Sequence, residues 1–146
     1  MNVTATLIVT PCTLHHALLL AGLANFGILF ASALTPKVLD WKNELQKLPP
    51  FLQRLFWVYG VFIVLTIIGI GTLTLAFREA MAGGNAPARG MAAFAAVFWG
   101  ARCLVQWFVF DARPYLTTAW LRLGYHALTV TFILLTVIYT LAAIQP

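Results

Sequence analysis

The chain has 146 residues, 62% of them apolar and only 9% charged, with a mean hydropathy of +0.90. Soluble domains carry about 45–50% apolar and about 25% charged residues, so this composition excludes both a disordered chain and an ordinary water-soluble enzyme and points to one small integral membrane domain. Nine Lys and Arg against four Asp and Glu leave a net charge of +5. The basic residues flank apolar stretches and form no polar, aromatic-interleaved run, so they speak for membrane topology and against nucleic acid.

Four stretches are long enough to cross about 30 Å of hydrocarbon, which takes about 20 helical residues. They are residues 14–34, 55–77, 90–110 and 121–144, the third interrupted by Arg102 and Gln106. Helix breakers fall between them: Pro36, Pro49-Pro50, the run from Gly83 to Pro87, and Pro114. Because backbone groups in lipid must be satisfied within each helix, the expected fold is all-α, a four-helix transmembrane bundle filling residues 1–146 as one domain.

In the first span Asn25 stands alone among apolar residues, with Gly27 and Ala31 forming a small-xxx-small pair. Cys12, His15 and His16 precede or open this span. Thiolate and imidazole suit zinc or copper, but adjacent histidines diverge on a helix and no acidic partner is in sight, so they make a weak metal candidate. Ala31-Ser32-Ala33 has the form of a signal-peptide cleavage site, yet no basic residue precedes the apolar core, and a retained helix is expected. The first loop carries Lys37, Lys42, Lys47 and Arg54. Within it Val38, Trp41, Leu45 and Leu48 recur at helical spacing, which predicts a short interfacial helix with Trp41 among headgroups and lysines near anionic lipid.

The second span offers Tyr59 and Thr66, then Gly69, Gly71 and Thr72. In the third, small and polar residues (Ala92, Ala95, Ala96, Trp99, Gly100, Arg102, Cys103, Gln106) share one side, and large apolar ones (Phe94, Val97, Phe98, Leu104, Phe108) the other. The small side should face the bundle. In the fourth, Arg122, Tyr125, His126, Thr129, Ile133, Thr136 and Thr140 recur as one stripe. From about 1.5 Å of rise per residue, Asn25, Tyr59, Arg102, Gln106, His126 and Thr129 fall in the same half of the membrane and are expected to form a polar cluster. Arg102 is its centre: an arginine at apolar depth costs about 2.5–3.5 kcal/mol on insertion scales, and none of the four predicted spans holds Asp or Glu.

Basic residues concentrate in the first and third loops, Arg113 and Arg122 adding to the first loop's four, against Arg78 and Arg89 on the other side. The positive-inside rule then places these two loops in the cytoplasm and both termini outside, in what is expected to be a bacterial inner membrane. Trp41, Trp57, Trp107 and Trp120 fall near that cytoplasmic boundary, with Lys37, Lys42 and Lys47 as further interface residues. No phosphate-binding loop, dinucleotide fingerprint, HExxH, CxxC or nucleophile elbow is present, and two histidines at matching depth are lacking, so a haem held within this one chain is not expected and the sequence names no particular cofactor. The expected function is that of a non-catalytic accessory subunit of a larger membrane complex, respiratory or photosynthetic, with lipids and other membrane subunits or further copies as partners. The alternatives are a binder or carrier of an anionic lipid or small anion through Arg102, and a membrane enzyme or redox subunit using His126 and Tyr59.

Overall fold

The computed structural model describes residues 10–109, 114 and 116–145. Of the described residues 88% are helical and none lies in a strand. Among the described residues six α-helices follow in order: α1 (Pro11–Ser32), α2 (Thr35–Val38), α3 (Trp41–Gln46), α4 (Pro50–Ala82), α5 (Ala86–Phe108) and α6 (Ala119–Ile144). Four of them, α1, α4, α5 and α6, are long and apolar enough to cross a membrane, and the protein is membrane-embedded. Phe110 and Arg113, which the sequence places at the end of the third span and in the third loop, lie outside the described residues.

The observed helices start earlier than the apolar runs for one reason. α1, α4 and α5 each carry a proline in their first turn, Pro11, Pro50 and Pro87. There the missing N–H has no intrahelical partner to lose, and the fixed φ favours the helix. Residues read as breakers are therefore starters. The second span runs on to Ala82 and closes in a Schellman motif. Asn85 N–H donates to the Ala80 carbonyl and Gly84 N–H to that of Met81, with Gly84 at φ 72° where an L side chain is disfavoured. At 33 residues, α4 is about 50 Å long, well beyond the ~30 Å hydrocarbon core. Its backbone departs from helical geometry at Phe77 (φ −113°, ψ 19°).

The helices pack mainly as two antiparallel pairs, α1 with α4 and α5 with α6. In the first pair Gly22 lies against Leu75, and Gly71 lies against Asn25 and Phe26. A Cβ built on Gly71 would lie 3.0 Å from the Phe26 ring and 3.1 Å from the Asn25 Cβ, so any side chain here would have to displace one of them, and the small residue lets the two helices approach closely. In the second pair, the α5 side rich in small residues is the one that is buried: Ala88, Ala92, Ala95, Trp99, Cys103 and Gln106. On α6 the buried residues are Phe132, Leu135, Tyr139 and Ala142. This face is rotated from the expected stripe, of which Arg122, His126, Ile133 and Thr140 are exposed. Thr129, Thr131, Thr136 and Thr140 each donate to the carbonyl four residues back. A threonine whose hydrogen its own helix takes up needs no partner on another helix, although Thr129 also accepts from Gln106 of α5.

The connector between the first two spans is helical but in two pieces. Asp40 adopts a left-handed conformation (φ 46°, ψ 47°) between α2 and α3, so the expected helix over residues 38–48 becomes an elbow. Asp is among the few non-glycine residues that tolerate this region, and Asn43 Nδ2 donates to its Oδ2 at 2.6 Å.

Candidate functional site

The residues expected to form one polar cluster separate into two groups and two outliers. Asn25, fully buried on α1, belongs with residues the sequence did not single out. Its Nδ2 donates to the Ala21 carbonyl at 2.7 Å and to the Tyr139 hydroxyl at 3.0 Å. Tyr139 and Thr74 lie with their hydroxyls 2.9 Å apart, and Thr74 donates to the Ile70 carbonyl at 2.7 Å. A hydroxyl has one hydrogen, so Tyr139 is the donor to Thr74. The chain of bonds runs Asn25 to Tyr139 to Thr74 and ties α1, α6 and α4 together. Asn25 Oδ1 has no hydrogen-bond partner among the described residues.

The second group lies between α5 and α6. Gln106 Nε2 donates to the Thr129 hydroxyl, and the Tyr125 hydroxyl reaches the Gln106 carbonyl at 3.4 Å. One turn away, the Arg102 guanidinium carbon sits 5.1 Å from the centre of the Phe132 ring, and that ring stacks on Trp99 at 5.3 Å. A guanidinium over an aromatic face gains about 0.5–2 kcal/mol, the more so when desolvated, which offsets part of the cost of an arginine at this depth. Arg102 itself is half-buried.

Tyr59 and His126 are the outliers. Tyr59 is 60% exposed on α4, and His126 is exposed on α6, its ring edge-on to that of its neighbour Tyr125. Tyr59 lies in the first part of α4, where no residue before Ile67 is buried. His126 stands next to Tyr125, which meets Gln106 of α5, but is itself exposed. Neither reaches Arg102 or Asn25.

At the opposite end, Cys12 Sγ and His16 Nδ1 lie 4.0 Å apart, while His15 is engaged by α4. Arg78 Nε donates to His15 Nε2 at 2.9 Å, which holds that nitrogen as an acceptor and joins α4 to α1 just past the Phe77 distortion. His16 Nδ1 turns back to the Cys12 carbonyl at 2.8 Å. No group of three or more His, Cys, Asp or Glu with metal-binding geometry occurs among the described residues. Cys12 is exposed and Cys103 buried, both as free thiols.

The interface residues gather at the end that carries the α2–α3 elbow. Trp41 packs edge-on against Phe56 at 4.8 Å and Trp57 at 6.3 Å, while Trp107 and Trp120 are largely exposed. Lys47 pairs with Glu44. Among the described residues, Lys37 and Lys42 make no ion pair.

Two open hollows flank α4. One, about 650 Å³, lies between the elbow and the start of α4 and is lined by Lys37, Lys42, Trp41 and Trp57 among others. The other, about 540 Å³, lies between α4 and α5, with Thr66, Gly69, Gly90 and Phe94 in its walls. The two helices leave their three-residue turn and diverge along it. What this geometry offers chemically is mainly surface and charge: a thiol meets an imidazole where Cys12 Sγ lies 4.0 Å from His16 Nδ1 at the exposed start of α1, and no two carboxylates face one another among the described residues. No family model, no curated protein and no solved structure matches the chain.

Proposed function

We propose that this protein is a non-catalytic subunit that docks against other helices in a larger membrane complex, respiratory or photosynthetic in kind, with α4 as the docking element. The observation that carries this reading is the set of span glycines with open space around them. A Cβ on Gly27, Gly60, Gly69, Gly90 or Gly124 would meet nothing within 4 Å. Glycine inside a helix costs about 1 kcal/mol relative to alanine, and at these positions nothing within the chain offsets it. Small residues let helices approach closely in lipid. Gly69 and Gly90 face the α4–α5 groove, and Gly60 stands beside Tyr59 in the part of α4 with no buried residue. Two polar side chains on outer faces, Tyr59 and His126, add to the same reading, since a partner's backbone or side chains satisfy them better than hydrocarbon does. Only 22–28% of each span's most apolar window is buried within the chain, which leaves ample helix surface for neighbours.

The expected setting is a bacterial cytoplasmic membrane. The excess of basic residues in the first and third loops supports a cytoplasmic elbow and outward-facing termini. Cys12 offers a direct check: a membrane-impermeant maleimide added to intact cells should label it, and labelling only after lysis would reverse the orientation.

The test of function is native mass spectrometry of the protein extracted gently from its own membranes. A second polypeptide at fixed stoichiometry is expected, and its loss in Gly69→Leu and Gly90→Leu with the chain still folded. A monomer without a stoichiometric partner would sink the proposal.

A second reading rests on Arg102. A guanidinium at apolar depth, with Gln106 and Thr129 one turn away, supports binding of an anionic lipid or small anion there. Arg102→Gln should then remove a co-purifying anion from the folded chain; unchanged retention would rule it out.

A further inference from the structure

We infer that the hollow between the α2–α3 elbow and the start of α4 is a binding site for the headgroup of one anionic phospholipid, held through its phosphate by Lys37 and Lys42. This inference concerns the isolated chain and does not rest on the docking role of α4 or on Arg102.

Three observations converge on it. The first is shape. The left-handed conformation of Asp40 turns α3 back on α2, and the Trp41, Phe56 and Trp57 rings lock edge to face, 4.8–6.3 Å apart, so the elbow is pinned to α4 and the hollow of about 650 Å³ is held open between them. The second is charge. Of the three lysines on the elbow, Lys47 is neutralised by Glu44, whereas Lys37 and Lys42 both line the hollow and stay without an ion pair among the described residues. Asp40 lines it too, but its Oδ2 accepts from Asn43, and the balance of charged groups around the hollow is positive. The third is depth. Trp41, Trp57, Trp107 and Trp120 all lie at this end, as an aromatic belt does at headgroup level.

A lipid fits better than a soluble anion because the hollow is continuous with greasy surface. Val61 and Val64, one and two turns beyond Trp57 on the same face of α4, are exposed, a path along which acyl chains can lie while the phosphate stays at the lysines. Two lysine ammonium groups suit a phosphodiester as point charges, and each basic residue near an anionic surface contributes about fivefold in affinity.

The experiment is native mass spectrometry of the purified chain equilibrated with mixed micelles of phosphatidylglycerol and phosphatidylcholine. One phosphatidylglycerol should be retained in preference to phosphatidylcholine. In Lys37→Gln/Lys42→Gln that preference should fall by about thirtyfold. The variant Arg54→Gln/Arg122→Gln, which takes the same charge from the same end outside the hollow, should keep it. Trp41→Leu, which frees the elbow from α4 while sparing both lysines, should weaken retention as well. Equal retention of the two lipids, or a preference that survives loss of both lysines, would overturn the inference. So would displacement of the bound mass by millimolar inorganic phosphate, which would make this a site for a free anion.

Discussion

Around the turn from α4 into α5, side chains of all four spans are sealed against one another: Leu14, Leu18, Met81, Ala92, Tyr139 and Ala142 are almost wholly inaccessible. Around the elbow, α4 has no buried residue before Ile67, α6 none before Phe132 and α1 none after Ile28. Only α5 keeps buried side chains there, Cys103 and Gln106. The polar groups divide in the same way. Near the turn they satisfy one another across helices, as Asn25, Tyr139 and Thr74 do, and Arg89 Nε donates to the Ala143 carbonyl at the end of α6, where a cation is favoured by the exposed carbonyls. Toward the elbow Tyr59, His126 and two lysines face outward. In lipid there is no hydrophobic drive between apolar helices, so van der Waals fit and hydrogen bonds decide where they hold together. One half of this protein supplies both within the chain. The other half leaves surfaces that a lipid or a partner has to complete.

Gly71→Leu is the sharpest test of the sealed half. The added side chain meets Phe26 and the Cβ of Asn25, and Asn25 is itself held by two hydrogen bonds, so neither can give way freely. Overpacking of this kind costs about 1–3 kcal/mol, and here the upper end is expected because the Asn25–Tyr139 bond is displaced with it. Unfolding of the purified chain in detergent measures it. A variant as stable as the parent would mean that the α1–α4 contact contributes little.

Tyr139→Phe should follow, with a loss of about 1 kcal/mol, since it removes two hydrogen bonds between membrane helices that average about 0.6 kcal/mol each. The effect is modest because Asn25 keeps the Ala21 carbonyl and Thr74 keeps that of Ile70. Combining it with Asn25→Ala should cost less than the sum of the two single changes; strict additivity would show that the two side chains do not interact.

These two tests also mark what was readable in the sequence and what was not. The inward face of α5 was legible because small and polar residues fall on one side and large apolar ones on the other, a contrast that periodicity registers directly. Asn25 was legible as an isolated amide in an apolar helix. Its partners were not, since Tyr139 reads as one more aromatic in a greasy stretch and Thr74 as one more small residue. On α6 the hydroxyls suggest an inward polar stripe, and Thr129 does meet Gln106 of α5, but every threonine can also give its hydrogen to its own helix, and packing of Phe132, Leu135 and Tyr139 sets the rotation instead. Depth alone placed Tyr59 and His126 with Arg102, whereas membership of a cluster also requires that the helices meet at that depth. At the Tyr59 end of α4 they do not.

Gln106→Leu comes next, at about 0.6 kcal/mol and at most ~1.7 kcal/mol, because Thr129 retains its bond to the Tyr125 carbonyl at 2.9 Å. The same variant separates the two halves in a second way. If the α5–α6 pair is self-sufficient, the loss is confined to local hydrogen exchange near Gln106 and leaves the Asn25 region protected. Loss of protection at Asn25 would show that the halves are coupled along α6.

The smallest effect on the isolated chain is expected from Gly60→Leu, and it is the most informative about the open half. With nothing within 4 Å of the new Cβ, leucine brings no clash, and replacing glycine in a helix favours folding by up to about 1 kcal/mol. The purified variant should be as stable as the parent or slightly more so. In native membranes the same side chain stands where a close-packed neighbour is proposed, so the stoichiometric partner should be lost while the fold is kept. A glycine whose replacement helps the chain and harms the assembly is explained only by the assembly. If Gly60→Leu leaves both unchanged, this stretch of α4 faces lipid, and the docking surface narrows to the α4–α5 groove around Gly69 and Gly90.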